Sequence, residues 1–300
     1  MSEPCILTAA VCAYNPPPVW KELVRIIIDE ETGSVVVVDD GSTTPLVAPS
    51  DSPSVDVLRL ETNRGLSHAR NRATERATTD WILFLDADVL PAPGFASKLT
   101  PILSQTQADG IGFSVREHNR SAPWDRLRAF ERDVRVPIPG KREWLSGLFV
   151  AYRRDALLDV GGFDENLRTN GEDVDIGYRL TKRGYRLEQA DGLWGEHHRK
   201  DSFRSCIKYH YRYALTGKIV DRALYGLEST TEHAHVPWLH MGEAMRVLSV
   251  YGKFVLRNPH MFYMPPLALI AKLAGSTVGA FRVRRQRPIS QTETSPDEQT

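Results

Sequence analysis

The feature that most constrains this chain is an apolar run that ends in two carboxylates. Residues 81–88 read WILFLDAD, and the apolar part of the run predicts a buried central strand. Because an unpaired carboxylate is costly to bury, we expect Asp86 and Asp88 just past the end of that strand, facing a crevice. Ligands of open α/β sheets bind in that place. Two acids there can hold a divalent cation, which in turn can hold a diphosphate.

Three further runs in the N-terminal half have the same strand-like design. Residues 35–42 read VVVVDDGS, a β-branched run followed by two acids and a turn. Residues 6–15 and 55–60 are the other two runs. Downstream of Gly65, small residues recur at helical spacing, which suits close packing of a helix on a sheet. Alternating strands and helices predict an α/β fold with a mostly parallel sheet and helices on both faces.

The polar residues that follow these strands form a series of short motifs. In order they are YN at 14–15, VDDGS at 38–42, NRG at 63–65, ARN at 69–71, DAD at 86–88, GGFDE at 161–165 and GEDVD at 171–175. The series resembles the family 2 glycosyltransferases of the GT-A fold, over roughly residues 5 to 200. The resemblance implies a Rossmann-like nucleotide-binding sheet with helices on both faces. It also implies inverting transfer of a sugar from a nucleotide-sugar donor.

The resemblance also implies where the donor nucleotide binds. Asp40 is the expected reader of the base, since a carboxylate accepts a hydrogen bond from the ring N–H of uracil. The alternative is that Asp39 and Asp40 only stabilise the Gly-Ser turn that follows them. Arg70, near a helix start, either meets the diphosphate or belongs to a solvated basic face. The nucleotide-binding residues expected from the resemblance are Tyr14, Asn15, Asp39, Asp40, Arg70 and Asp86.

A divalent metal, Mn²⁺ or Mg²⁺, is the implied cofactor. The resemblance assigns Asp88 to the metal and Asp86 to the ribose or the metal, where a cation would neutralise the departing diphosphate. The alternative is that these acids cap the segment beyond the strand. A histidine ligand is expected from the segment after the last predicted strand, at 185–190. Either His197 or His198 fits that role, and the sequence does not choose between them.

The implied catalytic group lies at the start of a helical pattern. By family position Asp173 is the general base, which takes the proton as an acceptor hydroxyl attacks the anomeric carbon. Glu172 is expected to orient the site. The alternative is ordinary helix-start chemistry, because acids in a first helical turn are stabilised by the helix dipole.

The acceptor side is expected around three residues. Trp144 can stack on a sugar ring, or it packs in the core, since large aromatic residues are mostly buried. Gly147 lies beside it in the segment that the family places near the acceptor. Phe163 belongs to a turn that shapes the acceptor mouth, with its own ring packed. Segment 116–143 carries several arginines among acids and is either a mobile acceptor loop or a solvated helix.

Composition narrows the class of protein. The 38 basic and 38 acidic residues of the 300-residue chain cancel, which excludes general polyanion binding and predicts no nucleic-acid partner. The three cysteines are scattered without metal spacing, which fits a reducing cytosol. We see neither a signal peptide nor a run of about 18 uninterrupted apolar residues, so we expect no spanning helix. The chain is expected in the cytoplasm, and its oligomeric state is open.

We divide the chain into three parts. A GT-A catalytic domain covers 1–200, with a nucleotide-sugar half over about 1–90 and an acceptor half over about 91–200. A helical extension follows over 201–288. The composition of 289–300 is typical of a disordered tail.

The extension has three helical patterns, at 202–217, 236–256 and 262–280, and in the first of them apolar residues recur every fourth position from Phe203. The last lies beside the basic run 282–287. Such a pair can lie on the inner face of the cytoplasmic membrane. The alternative is a core-packed terminal helix with a solvated basic end.

These patterns favour a metal-dependent inverting glycosyltransferase of cell-envelope polysaccharide or glycolipid synthesis. The expected donor is a UDP-sugar or a similar nucleotide sugar, and the acceptor is a lipid-linked saccharide, a polysaccharide end or a small molecule. A nucleotidyltransferase would need a Gly-rich, Lys-containing loop where 14–17 read YNPP. A non-catalytic nucleotide-sugar-binding protein would have lost Asp88 or Asp173. A dinucleotide-binding dehydrogenase is disfavoured because no G-x-G-x-x-G follows a strand.

Overall fold

A computed structural model gives the structure of residues 7–31, 33–49, 55–134, 139–168, 170–225, 249 and 251–285. The strands are β1 (Leu7–Ala13), β2 (Ser34–Asp39), β3 (Val55–Arg59), β4 (Trp81–Asp86), β5 (Val89–Pro91), β6 (Gly110–Glu117), β7 (Gly140–Arg142), β8 (Phe149–Arg153) and β9 (Leu187–His197). The helices are α1 (Trp20–Asp29), α2 (Leu66–Arg76), α3 (Phe95–Gln105), α4 (Pro123–Asp133), α5 (Arg154–Asp159), α6 (Glu172–Arg183), α7 (Phe203–Tyr225), α8 (251–257) and α9 (Met264–Arg285). A 3₁₀ turn, Pro259–Met261, precedes α9.

The described strands form one sheet in the order β3-β2-β1-β4-β8-β6-β9-β5, with β7 paired to β9. The four strands from β3 to β4 are parallel, as predicted. The prediction of a mostly parallel sheet is wrong for the other half, where β8 runs antiparallel to β4 and β6, and β5 and β7 antiparallel to β9. The chain enters β8 beside the carboxyl end of β4, where Phe149 pairs with Leu85, and therefore runs back along it.

Helices cover both faces of the sheet because side chains alternate along each strand. On one face Val11 and Leu83 belong to a core with apolar residues of α1 and α3. On the other face Ala10 and Ile82 pack with residues of α2, α5 and α6. Ala73 of α2 is fully buried, so the small-residue face of this helix does pack closely on the sheet. The predicted α/β fold is confirmed.

A third core lies where α4 meets the C-terminal helices. Its buried members include Leu127, Cys206, Phe254 and Met264. The helix predicted at 202–217 is present as α7. The polar His210 is buried in it, whereas Phe203, the first residue of the apolar repeat, is 52% exposed.

Segment 116–143 is neither of the two structures that we expected. Its centre is helix α4, and within that helix Arg128 and Glu131 are buried and paired at 2.8 Å. The helix is therefore packed and not solvated. Residues 135–138 lie outside the described residues.

The helical patterns predicted near the C-terminus correspond to α8 and α9, while 236–248 and the tail at 289–300 lie outside the described residues. We expected no spanning helix. Among the described residues, the stretch Pro259–Val278 is nevertheless long and apolar enough to cross a membrane, with a mean hydropathy of 1.2. Length and composition are the only grounds for this, and core helices of soluble proteins meet the same criterion.

Candidate active site

Two adjoining cavities open where the parallel strands end. One has a volume of about 400 Å³ and the other about 970 Å³, and Leu66 at the start of α2 lines both. Asp86 ends β4 and Asp88 follows it, and both line the larger cavity. This is the edge of the sheet at which open α/β folds bind ligands.

The smaller cavity contains Tyr14 and Asp40. The carboxylate of Asp40 is buried and accepts hydrogen bonds from the backbone N–H groups of Arg64 (2.9 Å) and Gly65 (2.8 Å). Each carboxylate oxygen keeps a further acceptor position. Tyr14 is 52% exposed at the wall. The two residues thus lie where a flat ring can enter between them and the start of α2.

Asp39 does not line either cavity. Its buried carboxylate accepts hydrogen bonds from the N–H groups of Ser42 (2.8 Å) and Leu46 (3.1 Å) and pairs with Arg59. Although burial opposes it, these hydrogen bonds lower the pKa of Asp39. The turn-stabilising alternative therefore describes Asp39, whose carboxylate shapes the loop after β2.

Asn15 also links loops and does not line the cavities. Its backbone has φ 47°, its N–H donates to Ser42 Oγ at 2.9 Å, and its side-chain oxygen accepts from the Thr43 N–H at 2.9 Å. These bonds tie the loop after β1 to the loop after β2. Asn15 thereby supports the wall that carries Tyr14.

Arg70 joins the two halves of the site. Its guanidinium is buried and donates to Glu172 (3.0 Å), to Asp86 (3.3 Å) and to the carbonyl oxygen of Gly147 (2.8 Å). A Cβ at position 147 would lie 2.8 Å from the guanidinium nitrogens, so only glycine permits this approach. Arg70 is thus fixed at the wall of the larger cavity, where an anion can meet it.

The structure distinguishes between the two candidate histidines. His197 Nε2 lies 3.3 Å from Asp88 Oδ2 on the cavity side. His198 turns away, and its ring stacks on His118 with 3.9 Å between ring centroids. The predicted last strand is longer than expected, since β9 continues to His197 through its pairing with β5. His197 therefore ends a strand and is held rigidly toward Asp88.

Asp86, Asp88 and His197 fit a divalent cation. Burial, assisted by the charge of Asp88 and opposed by Arg70, raises the pKa of Asp86 to about 7. A carboxylate that is as costly to ionise as Asp86 is stabilised in its charged form by a bound cation. Two carboxylates with one imidazole match the ligand preference of Mn²⁺, in which oxygen ligands dominate.

Glu117, which we did not single out from the sequence, completes this group. It is buried at the end of β6, and its carboxylate lies 3.1 Å from His197 Nδ1 and 3.1 Å from Arg132. Burial opposes ionisation, but the hydrogen bond from His197 and the charge of Arg132 lower the pKa of Glu117 to about 2. The pair leaves His197 Nε2 directed at Asp88. Glu117 follows Ser114 and Arg116 and does not end an uninterrupted apolar run as Asp86 does, so little in the sequence pointed to it.

The candidate base lies in the first turn of α6. Asp173 lines the larger cavity, and its carboxylate accepts from the N–H of Gly147 at 3.3 Å and of Val174 at 2.9 Å. Burial and the neighbouring charge of Glu172 raise the pKa of Asp173 to about 6. Glu172 is buried and uses one carboxylate oxygen on Arg70. Asp173 is left as the carboxylate that can take a proton from a bound group.

The three residues predicted on the acceptor side do not all line the larger cavity. Trp144 is 42% exposed and lines the larger cavity together with Gly147. Phe163 is 3% exposed and packs edge-on against Phe84, with 5.6 Å between ring centroids. Phe163 thus packs in the core and lines neither of the two cavities. The sequence did not indicate that α4 and α7 also contribute to this wall, through Arg128, Arg132, Tyr209 and Tyr213.

A loop of the acceptor half closes the floor of the smaller cavity. The carbonyl oxygen of Arg168 accepts the first N–H of α2, from Leu66, at 2.9 Å, and its guanidinium donates to Asn63 at 2.7 Å. Asn71 of α2 exchanges two hydrogen bonds with the backbone of Phe163 (2.7 and 2.9 Å). Hydrogen bonds therefore join α2 to the loop at 163–168 beneath the site.

Known proteins share this arrangement of strands. A mannosyltransferase from Pyrobaculum calidifontis, solved with GDP-Man and Mn²⁺, aligns with 91% of this chain and 87% of its own at a TM-score of 0.60 and 19% identity. GalNAc-T7, solved with UDP, GalNAc and Mn²⁺, aligns with 71% of this chain and 50% of its own at a TM-score of 0.51 and 17% identity. At such identities the likeness establishes the GT-A fold.

Relatives identified by sequence are also named as glycosyltransferases. The pre-mycofactocin glycosyltransferase of Mycobacterium tuberculosis is 30% identical over 58% of this chain, which spans only 39% of that relative. The N-acetylglucosaminyl-diphospho-decaprenol L-rhamnosyltransferase of the same organism is 27% identical over 66% of this chain and 77% of its own length. The model of one family, described as glycosyl transferase family 2, matches residues 8–161, which include both acids at the end of β4. This chain therefore belongs to glycosyl transferase family 2.

Proposed function

We propose that this chain transfers a sugar from a nucleoside diphosphate sugar to a hydroxyl acceptor, with inversion at the anomeric carbon and with a divalent metal as cofactor. The observation that carries the proposal is the composition of the larger cavity. One part of it gathers Asp86, Asp88 and His197, which suit a cation. Another part presents Asp173, a carboxylate that can act as a base.

The donor would lie across both cavities. Its base would enter the smaller one, where Asp40 can accept a hydrogen bond from a ring N–H. Its diphosphate would reach Arg70 and the Asp86/Asp88 pair, where a bound Mn²⁺ or Mg²⁺ supplies Lewis-acid stabilisation of the leaving group. UDP suits the carboxylate of Asp40, and the GDP-Man and UDP complexes of the structural neighbours make both nucleotides the first to test.

Asp173 would remove the acceptor proton. As the acceptor hydroxyl attacks the anomeric carbon, its proton passes to the carboxylate of Asp173, and the bond to the diphosphate breaks on the opposite side of that carbon. The N–H of Gly147 keeps the carboxylate in place at 3.3 Å. Glu172 holds Arg70 and thereby positions the diphosphate. Trp144 offers an exposed ring on which an acceptor sugar can stack.

The acceptor and the cellular location are part of the same proposal. We infer a lipid-linked saccharide or a growing polysaccharide of the cell envelope, which the name of the rhamnosyltransferase relative supports. The enzyme would act in the cytoplasm at the inner face of the membrane. Exposed apolar residues on the C-terminal helices support this, among them Leu256 (82%), Phe262 (66%) and Ile270 (61%).

The first test is calorimetric titration of the protein with UDP, GDP and dTDP, each with Mn²⁺, Mg²⁺ or a chelator. We expect one nucleotide to bind tightly only with metal, and Asp88→Ala to lose that binding. Asp173→Asn is the matched variant, since it should bind the nucleotide normally but lose donor turnover by about 10²–10⁴-fold. Absence of metal-dependent nucleotide binding would overturn the donor site. Retained turnover in Asp173→Asn would overturn the base.

A further inference from the structure

A group of two histidines and one glutamate lies on the side of β6 and β9 opposite to the donor site. Strands β6 and β9 are parallel neighbours, and Glu117 pairs in register with His197. Because side chains alternate along a strand, the flanking residues His118, Glu196 and His198 point away from the donor site. His198 shares only its backbone with that site, donating its N–H to the carbonyl oxygen of Asp88 at 2.7 Å.

The three side chains meet at close range. His118 Nδ1 lies 2.6 Å from a Glu196 carboxylate oxygen, and His198 Nε2 lies 3.6 Å from the same oxygen. One ligand atom from each residue lies within 4.8 Å of the other two. His198 Nε2 is itself buried and has no hydrogen-bond partner among the described residues. Because the His118 and His198 rings are stacked, with 3.9 Å between their centroids, one ring turns about its side-chain bonds when both nitrogens face the same ion.

We propose that His118, Glu196 and His198 form a second metal site, which takes a transition metal of the zinc class. Two imidazoles and one carboxylate are a common zinc ligand set, with water in the remaining position. Softer divalent metals prefer imidazole, whereas the two carboxylates of the donor site favour Mg²⁺ and Mn²⁺. The two sites therefore differ in the metals that they select.

The ion would join the ends of β6 and β9. Each of its ligands is a direct chain neighbour of Glu117 or His197, so occupancy of the outer site would restrain the strand ends that carry the inner pair. The proposal does not depend on the glycosyltransferase activity. Its expected consequence is metal-dependent stabilisation of the fold.

The test is optical titration with Co²⁺ in the Asp88→Asn variant, in which the donor site is impaired. We expect one Co²⁺ per chain with visible ligand-field absorption, displacement of that absorption by Zn²⁺, and a rise in Tm with either metal. Introducing His118→Gln or His198→Gln into this background should abolish all three effects. The exposed His260→Gln serves as the matched control and should leave them unchanged.

Two results would overturn the proposal. One is the absence of saturable Co²⁺ binding, and the other is binding that persists in both histidine variants. If Asp88→Asn does not fold, the titration is repeated on the unaltered protein in saturating Mg²⁺, and the same two results decide.

Discussion

Asp173 and Asp86 hold their protons far more strongly than exposed aspartates do. Burial is the main cause in both cases, and a second carboxylate adds to it, Glu172 beside Asp173 and Asp88 beside Asp86. A base whose pKa lies near the operating pH accepts a proton more effectively than an ordinary aspartate. The raised pKa values mean that the folded structure destabilises the ionised forms of these two carboxyl groups.

The pH dependence of donor turnover should therefore have its acidic limb near pH 6. Only the ionised form of Asp173 accepts a proton, so the rate is expected to fall about tenfold per pH unit below that value. The measurement is nucleotide release from the bound nucleotide sugar between pH 5 and 8 in saturating Mn²⁺. A limb near pH 4, the usual range of aspartate, would contradict it.

Asp173 should make the protein less stable as pH rises, whereas an ordinary ion-paired acid makes it more stable. A raised pKa means that folding favours the protonated form, so the ionised Asp173 reduces stability as pH rises through about 6. Asp173→Asn should accordingly have a Tm at or above that of the unaltered protein at pH 8. This control separates loss of the base from loss of the fold.

Glu117 is expected to control metal affinity without touching the metal. Glu117→Ala removes the partner of His197 Nδ1 and should weaken Mn²⁺ binding by about 10- to 100-fold. The Mn²⁺ affinity of Glu117→Gln should lie between those of Glu117→Ala and the unaltered protein, because the amide oxygen of glutamine still accepts a hydrogen bond from His197 Nδ1. Calorimetry with Mn²⁺ measures both. Glu188→Gln, on β9 and paired to Arg186 at 3.0 Å, is the control, and an equal loss there would contradict the assignment.

The edge of the sheet at which the site lies could be predicted from the sequence, because β1, β2 and β4 are parallel and their carboxyl ends meet at one edge. The carboxylates of Asp86 and Asp88 lie where the pattern put them. Asp39 lines neither cavity because its carboxylate is committed to hydrogen bonds within the loop after β2, which no spacing in the sequence reveals. Glu117 was missed because its importance depends on pairing between strands distant in sequence.

At the level of elements, α4 holds the C-terminal helices through one buried acid. The carboxylate of Glu131 accepts a hydrogen bond from the Tyr251 hydroxyl at 2.7 Å and lies 3.4 Å from His210 and 3.6 Å from Lys272. With Arg128 at 2.8 Å, the acid contacts groups on α4, α7, α8 and α9. Although burial opposes it, these cations lower the pKa of Glu131.

Removing this acid should loosen the whole extension. Glu131→Ala leaves buried cations without their counter-charge and is expected to cost about 3–5 kcal/mol of unfolding free energy. Asp133 lies at the end of the same helix and forms an exposed ion pair with Arg120, which precedes the helix. Asp133→Ala breaks that pair and should cost about 0–1 kcal/mol. Urea denaturation of both variants makes the comparison. Similar denaturation midpoints for the two variants would show that Glu131 contributes no more to stability than the exposed Asp133.

The elements themselves were predictable to different degrees. The four N-terminal strands and α2 have strong local patterns, and each was predicted. The directions of β8 and β5 were not, because antiparallel insertion is decided by which strands meet and not by the pattern within one strand. The burial of His210 on α7 could not be predicted for a related reason, since it depends on Glu131 of α4, 3.4 Å away, and not on the hydrophobicity of α7 itself.

For the molecule as a whole, the C-terminal helices leave apolar side chains facing outward. Phe262→Glu combined with Ile270→Glu should abolish binding to vesicles of phosphatidylglycerol and phosphatidylcholine, because the substitutions place charge where apolar contact is needed. Sedimentation with vesicles measures the bound fraction. Leu158→Glu, at an exposed apolar position on α5, is the matched control.

Two outcomes would remove the membrane proposal. The first is that the unaltered protein does not sediment with the vesicles. The second is that the control variant loses binding as completely as the double variant, which would indicate a nonspecific effect of added charge. Retained binding after removal of residues 260–300 would have the same meaning.

The hydrogen bonds between α2 and the loop at 163–168 bear on how such enzymes can be recombined. Because Arg168 supplies a carbonyl oxygen to the first turn of α2, the smaller cavity is not a transferable module. A chimera joined at residue 161, where the family match ends, would take the floor of that cavity from one parent and its walls from another. Exchange of donor specificity should succeed only when the junction lies beyond α6, so that both sides of this seam come from one parent.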